Sequence, residues 1–368
     1  MKNNLIILGA GPRGIACAIQ ALKYKDLLNI YLIDNNPVST WQFPNMVIDM
    51  EMRSPITFDL VTYQQDLQEY SLSNYLGYNT KPVFTQKEIE ANNIFCKRIE
   101  FVNYLKDCIK RIKFEGVEVI KQKVISVSKE EIIFTTGRIK YKHLIIATGK
   151  ETEAPVIPVY LANKNICFCE DLYTVDWTKY TPCVVGSGQF AAEMVDYLSD
   201  NYNKTIYWAR NHNVKVEQYP VPSFKQWKNF SALSLHYYKN LGTLQTKLAY
   251  INKVKDWSPS ITPHINNKLE KKNNQIKYIK SEDIKTKNNK FLLAVGKRQD
   301  LYKLPFTFGF KLSQLPNKIP SLNKNFASST PNIYFTGLLA MHTGGPQQGS
   351  IISSGETARI ILKSIASS

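Results

Sequence analysis

A chain of 368 residues has room for two domains, or for one domain with another inserted in it. Its 43% hydrophobic and 21% charged residues are ordinary for a folded globular protein that buries a sizeable core. The net charge of +17 raises a nucleic-acid or membrane partner, but the lysines alternate with asparagines, as in "NNKLEKKNNQIKYIK", and gather in no arginine-rich block. A compositional bias accounts for them, and both partners are set aside; the basic surface still favours anionic cofactors and substrates.

In chain order, "LIILGAG" is a short apolar run ending in glycine, the pattern of a buried parallel strand. "RGIACAIQALKYK" follows as a helix and "NIYLID" as the next strand, a βαβ start. Residues 35–93, rich in Pro, Asn, Tyr and Ser, read as a long irregular excursion. "RIEFVNYLKDCIKRI" predicts an amphipathic helix with Ile99, Val102, Leu105, Ile109 and Ile112 on its apolar face. Alternating strands then lead to "HLIIATG". After Pro155 and Pro158 the pattern restarts, with "CVVGSGQFAAEMVDYLSDN" as strand, glycine turn and helix and "TIYWAR" as a strand. Residues 211–290 hold aromatic and helical pieces and a Lys/Asn region, and are expected to contribute part of a substrate lid. "KFLLAVGKRQD" restores a strand ending in glycine, and the tail from "NIYFTG" onward is strand, glycine-rich loop and closing helix.

Two glycine turns carry the chemistry. Gly9, Gly11 and Gly14 have GxGxxG spacing directly after a strand: the first allows the tight turn, the second lets backbone approach a pyrophosphate, and the third lets the helix pack closely. The helix start then presents N–H groups to the phosphates, with Arg13 among them. Asp34 closes the second strand, where an acid accepts hydrogen bonds from a ribose. Gly186, Gly188 and Ala191 repeat the spacing with the permitted final alanine, and Gln189 opens the helix. The following strand ends not in an acid but in Arg210, which suits a 2′-phosphate and favours NADP over NAD. Two dinucleotide sites in one chain suggest an electron relay, one site holding a flavin and the other presenting NAD(P)H to it.

The expected fold is therefore α/β, an FAD-binding Rossmann-like domain (1–152 and 296–368) with an inserted NAD(P)-binding Rossmann-like domain (153–295). The six cysteines form no CxxC pair, the histidines have no metal-ligand spacing, and no metal is assigned. No signal peptide and no stretch near the roughly 18 apolar residues of a membrane span is apparent, so a cytoplasmic protein is expected.

Over nearly its whole length the sequence resembles the two-dinucleotide-domain flavoproteins. "HLIIATG" and "FLLAVG" sit where that superfamily crosses between domains, and "NIYFTG" where its C-terminal flavin-contacting strand lies. "MRSPITFDLVTY", "YSLSNYLG", "RIEFVNYL" and Trp41 resemble segments of the flavin-dependent N-hydroxylating monooxygenases of lysine and ornithine, and of class B monooxygenases more broadly. The resemblance implies FAD and NADPH as cofactors and O2 as a partner. It also implies transfer of oxygen to an N or S atom of a small molecule through a flavin hydroperoxide. It adds Trp41, Thr148, Gly149, Gly337 and Gln348 to the flavin contacts, and Arg53, Ser54, His342 and Gln347 as candidates beside the ring. Two features depart from relatives: the Gly-Asp pair of the disulfide-reductase branch is Gly337-Leu338, and the FxGxxxHxxxW fingerprint of class B enzymes is absent. A disulfide-type flavin reductase, whose usual cysteine pair Cys167 and Cys169 do not match, and a non-catalytic FAD-binding redox sensor stand as alternatives.

Overall fold

The computed structural model describes residues 2–38, 51–61, 64–78, 94–149, 161, 165–168, 171–210, 214–216, 242–243, 245–247, 249, 260–280, 289–294, 304, 306–315, 319–345, 348 and 351–368. The chain opens with strand β1 (Asn3–Leu8), helix α1 (Pro12–Ala21) and strand β2 (Leu28–Ile33). Leu5 to Leu8 are fully buried, as a central strand covered on both faces must be. A short helix α2 (Leu72–Tyr75) follows, capped by the Ser71 side chain, which accepts from Asn74 N–H. The excursion before it is organised by the buried Asp59, whose carboxylate accepts from the backbone of Val61 at 2.9 Å and Leu72 at 2.7 Å.

Helix α3 (Arg98–Phe114) buries Phe101, Leu105, Cys108 and Ile112 in one stripe, with Val102 and Tyr104 beside it. Ile99 and Ile109, expected on the apolar face, are only half-buried, while Phe101 and Tyr104 are buried, Tyr104 donating to the Tyr70 carbonyl at 2.7 Å and lying against the Tyr75 ring. Strands β3 (Glu118–Ile120), β4 (Val124–Val127), β5 (Glu131–Phe134), β6 (Gly137–Lys140) and β7 (His143–Ile146) complete this part.

The next unit runs through β8 (Ile166–Phe168), β9 (Thr181–Val185), helix α4 (Gln189–Asn201), β10 (Ile206–Ala209), β11 (Lys215–Val216), β12 (Ser260–Ile261), helix α5 (Pro263–Glu270), β13 (Ile276–Ile279) and β14 (Asn289–Leu293). The chain ends with β15 (Thr307–Phe308), β16 (Ile333–Phe335), α6 (Met341–Gly344) and α7 (Ser354–Ala366).

Two five-stranded parallel sheets result, in the orders β16-β7-β1-β2-β3 and β13-β10-β9-β14-β8. In the first, β1 pairs with β2 from Asn3↔Leu28 to Leu8↔Ile33 and with β7 from Leu5↔His143 to Leu8↔Ile146. The strand order reverses beside β1, which opens a crevice at its carboxyl end. Leu5 and Ile7 face a core with α1, α3 and α7, while Ile6 and Leu8 face the antiparallel β4-β5-β6 meander. Late strands join early ones: β16 pairs with β7, and β15 extends the meander beside β4. In the second sheet Val184, Trp208 and Leu292 pack under α4 and α5, and Cys183, Val185 and Phe291 form the opposite layer. No described helix is long and apolar enough to cross a membrane.

Candidate functional site

Each parallel sheet ends, at the carboxyl edge of its central strand, in a glycine turn. Gly9 has φ +100°, a conformation that favours glycine, and a Cβ there would lie 2.6 Å from the Ala147 carbonyl oxygen. A Cβ on Gly14 would stand 1.7 Å from the Gly9 carbonyl oxygen, so helix and turn touch backbone to backbone. Gly11 has open space where its side chain would be. Helix α1 starts there with Pro12 in its first turn, no side-chain cap and no acidic residue, so its N–H donors face the opening.

Asp34 follows β2 as expected, but its carboxylate already has work within the turn. One oxygen accepts from Ala10 N–H at 2.7 Å and the other from Asn36 N–H at 2.8 Å. The acid thus braces the glycine turn as well as facing the site, a role that motif spacing does not reveal. Beside the turn, the buried Thr148 hydroxyl has no hydrogen-bond partner, and Gly149 has φ +69° with open space over its Cα. An unsatisfied buried hydroxyl next to an uncapped helix start fits a guest rich in hydrogen-bonding oxygens.

Arg13 reaches from α1 to the tail. Its guanidinium donates to Thr336 Oγ1 at 3.5 Å, to Gln348 Oε1 at 3.3 Å and to Ser353 Oγ at 3.2 Å, and also to the Gln348 carbonyl. Burial lowers its pKa to about 10, still charged at neutral pH. Gly337, with φ +80°, leaves room for the Arg13 side chain, whose Cδ would be 3.1 Å from a Cβ at that position. Gln348 is fully buried and donates to Thr357 Oγ1 at 2.8 Å. Gly9, Arg13, Gly14, Asp34, Thr148, Gly337 and Gln348 are thus linked through the first turn and the tail, with Gly11 and Gly149 beside them in sequence, while Trp41 and Gln347 lie outside the described residues. Arg53 and Ser54 are half-buried in a loop that closes on the same tail, since a Cβ at Gly355 would meet the Leu60 carbonyl oxygen at 2.8 Å. His342 is buried and lines a cavity of about 420 Å³ together with Lys247, Ser321, Asn323, Lys324 and Thr343.

The second turn repeats the first with differences. Gly186 has φ +145°, and a Cβ there would lie 2.6 Å from the Ala294 carbonyl oxygen. Gly188 has open space and begins α4, again without side-chain cap or first-turn acid. Ala191, in third position, is fully buried. The Gln189 side chain is engaged within this unit: its amide oxygen accepts from Thr262 N–H at 2.7 Å and its nitrogen donates to Glu193 at 2.9 Å. Arg210 lies with its guanidinium carbon 4.2 Å from the Tyr278 ring centroid and 5.1 Å from that of Trp208. At these distances the cation lies against both aromatic rings.

Sequence reading missed the groups that support these residues. Trp208 locks the second turn by donating from Nε1 to the Gly186 carbonyl at 2.6 Å. Arg98 and the fully buried Glu193 form a two-pronged ion pair at 2.5 and 2.6 Å between α3 and α4. Its sequence signal is faint, an acid on the buried face of α4 with no neighbouring base.

Among the described residues, Cys17, Cys96, Cys108, Cys167 and Cys183 are buried free thiols. Burial pushes Cys17, Cys96 and Cys183 up to about 12 and Cys108 higher still, so thiolate is scarce at neutral pH. In the native protein a maleimide should label none of these five within minutes, and all of them after denaturation. Peptide mapping that found two of them labelled in the folded state would restore the disulfide-reductase reading.

The family model described as L-lysine 6-monooxygenase/L-ornithine 5-monooxygenase matches residues 2–309. The structure of a Kutzneria sp. 744 ornithine N-hydroxylase with reduced FAD, NADP+ and L-ornithine superposes with a TM-score of 0.77 at 15% identity, covering 100% of this chain and 99% of that one. The FAD-bound cadaverine monooxygenase DfoA of Erwinia amylovora gives 0.76 at 16% identity, with 100% and 95% covered. An L-ornithine N(5)-monooxygenase of Cochliobolus heterostrophus is 24% identical over 214 residues, which are 52% of this chain and 39% of that protein, so the match spans about two-fifths of its length.

Proposed function

The chain belongs to the L-lysine 6-monooxygenase/L-ornithine 5-monooxygenase family, and we propose that it is an FAD-dependent, NADPH-reduced monooxygenase that hydroxylates an amine nitrogen of a small molecule with O2. The observation that carries this reading is the pair of open glycine turns, one on each parallel sheet. In this reading residues 1–152 and 296–368 hold FAD and 153–295 hold NADPH; most of the lid expected at 211–290 lies outside the described residues.

The N–H groups at the start of α1 would hold the FAD pyrophosphate, with Asp34 at the ribose and the tail around Gly337 and Gln348 at the ring. Bound there, the flavin supplies hydride acceptance and oxygen activation. The start of α4 would hold the NADPH pyrophosphate and Arg210 its 2′-phosphate. Arg13 ties the tail to α1 and so closes the crevice against water. An alkylammonium must lose a proton before its nitrogen is nucleophilic. His342, buried on the wall of the 420 Å³ cavity, is assigned to take that proton. Lys247 and Lys324 on the same cavity suit a substrate that carries a carboxylate, an amino acid in preference to a diamine. The buried free thiols suit a cytoplasmic location.

The test is anaerobic stopped-flow mixing of the FAD-loaded protein with NADPH, followed by aerobic assays for hydroxylamine with L-ornithine, L-lysine and cadaverine. Bleaching of the flavin and hydroxylamine from one of the amino acids is expected. Bleaching with no hydroxylamine from any of the three would make the protein a reductase or oxidase, and no bleaching would remove the relay altogether.

A further inference from the structure

We infer that Arg98 and Glu193 are positioning residues, a buried latch that fixes the distance between the two dinucleotide cradles and so governs hydride delivery; this rests on the function proposed above. Arg98 is the first residue of α3, which packs on the first sheet's helix α1, and Glu193 lies within α4, the helix that starts at the second cradle. Both guanidinium prongs meet both carboxylate oxygens, at 2.5 and 2.6 Å, with Arg98 8% and Glu193 0% exposed.

Stability alone does not explain such a pair. Dehydrating two charges offsets most of their attraction, and an apolar pair of similar size generally serves a core as well or better. What a planar fork against a carboxylate adds is direction, since the two parallel bonds are lost on a small rotation of either helix.

The pair also continues into the cradle. Glu193 accepts from Gln189 Nε2 at 2.9 Å, and Gln189 is the first residue of α4, immediately after the open Gly188. The other side of the Gln189 amide holds Thr262 N–H at 2.7 Å, at the head of α5. One unbroken chain of hydrogen bonds thus runs from α3 through the first turn of α4 to α5. Arg98 additionally neutralises a buried carboxylate one turn from the place where a pyrophosphate would bind.

Three variants read this out in the FAD-loaded protein. R98K keeps the charge and loses the fork, E193Q keeps the shape and loses the charge, and the R98M/E193M double replaces the pair with apolar side chains that a core tolerates. The expected result is flavin reduction at saturating NADPH slowed tenfold or more in R98K and in the double variant. Their reduction by dithionite and reoxidation by O2 should stay within twofold of wild type. E193Q should slow in the same way, and NADP+ affinity in R98K should change by less than threefold. A structural role alone would lower the melting temperature and leave the saturated reduction rate unchanged, which overturns the latch. Failure of all three variants to retain FAD would place the pair in folding and overturn it as well. Wild-type flavin that NADPH does not bleach removes the proposed function, whereas equal bleaching in wild type and variants removes only the latch.

Discussion

A Gly14→Ala protein is expected to emerge from purification colourless, with FAD affinity reduced more than a hundredfold. The new methyl group would sit 1.7 Å from the Gly9 carbonyl oxygen and 2.9 Å from its carbon. Both are backbone atoms, and Gly9 is itself wedged against Ala147 and Thr148, so no side chain can swing aside to relieve the contact. Overpacking in a core costs about 1–3 kcal/mol when side chains can shift, and this site offers no such shift. A hundredfold in affinity is about 2.7 kcal/mol, well within reach of moving the helix start away from the phosphates. The second cradle gives the control. It already carries Ala191 in the corresponding third position, so Ala191→Gly should retain full FAD content. Absorbance of bound flavin per protein, read after gel filtration, checks both, and a yellow Gly14→Ala protein would mean that the first turn does not hold FAD.

Arg210→Ala should lower kcat/KM for NADPH by about tenfold to a hundredfold, the loss of hydrogen bonds to a charged group at roughly 1.5–3 kcal/mol. The value for NADH should change by less than threefold, because the difference between the two cofactors is the 2′-phosphate alone. The stacking on Tyr278 and Trp208 makes the comparison necessary. Were the guanidinium there only to cover two aromatic rings, both cofactors would lose equally. Steady-state reduction with the two nucleotides separates the cases in one experiment.

What the sequence made legible follows from how local each cause is. A glycine that must approach backbone, an apolar strand before it and a helix after it lie within about twenty consecutive residues, so Gly9, Gly14, Gly186 and the order of elements around them could be read directly. The amphipathic helix over Arg98–Phe114 was legible for the same reason. Its rotation was not, because the groups that receive Tyr104, the Tyr70 carbonyl and the Tyr75 ring, come from a separate segment about thirty residues upstream. Asp34 was found for its position, yet the bonds to Ala10 and Asn36 that brace the turn depend on a loop conformation that no pattern of residue types encodes. Farthest from view were the pairs that cross the fold. Arg98 and Glu193 stand 95 positions apart, and each alone looks like a charge on a helix. Only the folded chain brings the start of α3 to α4 and makes them partners.

The reach of Arg13 bears on how the protein is made. Its partners Thr336, Gln348 and Ser353 follow it by 323, 335 and 340 positions, and the strand that closes the first sheet, β16, is translated after every strand of the second. While the nascent chain is still on the ribosome, the second sheet has every strand it needs between Ile166 and Leu293, yet the first sheet lacks its edge and its clamp. Contacts of such long range form late, after shorter loops have closed. The crevice beside the first glycine turn can therefore close only after residues 333–353 have been made, when every strand of the second sheet is already available to pair.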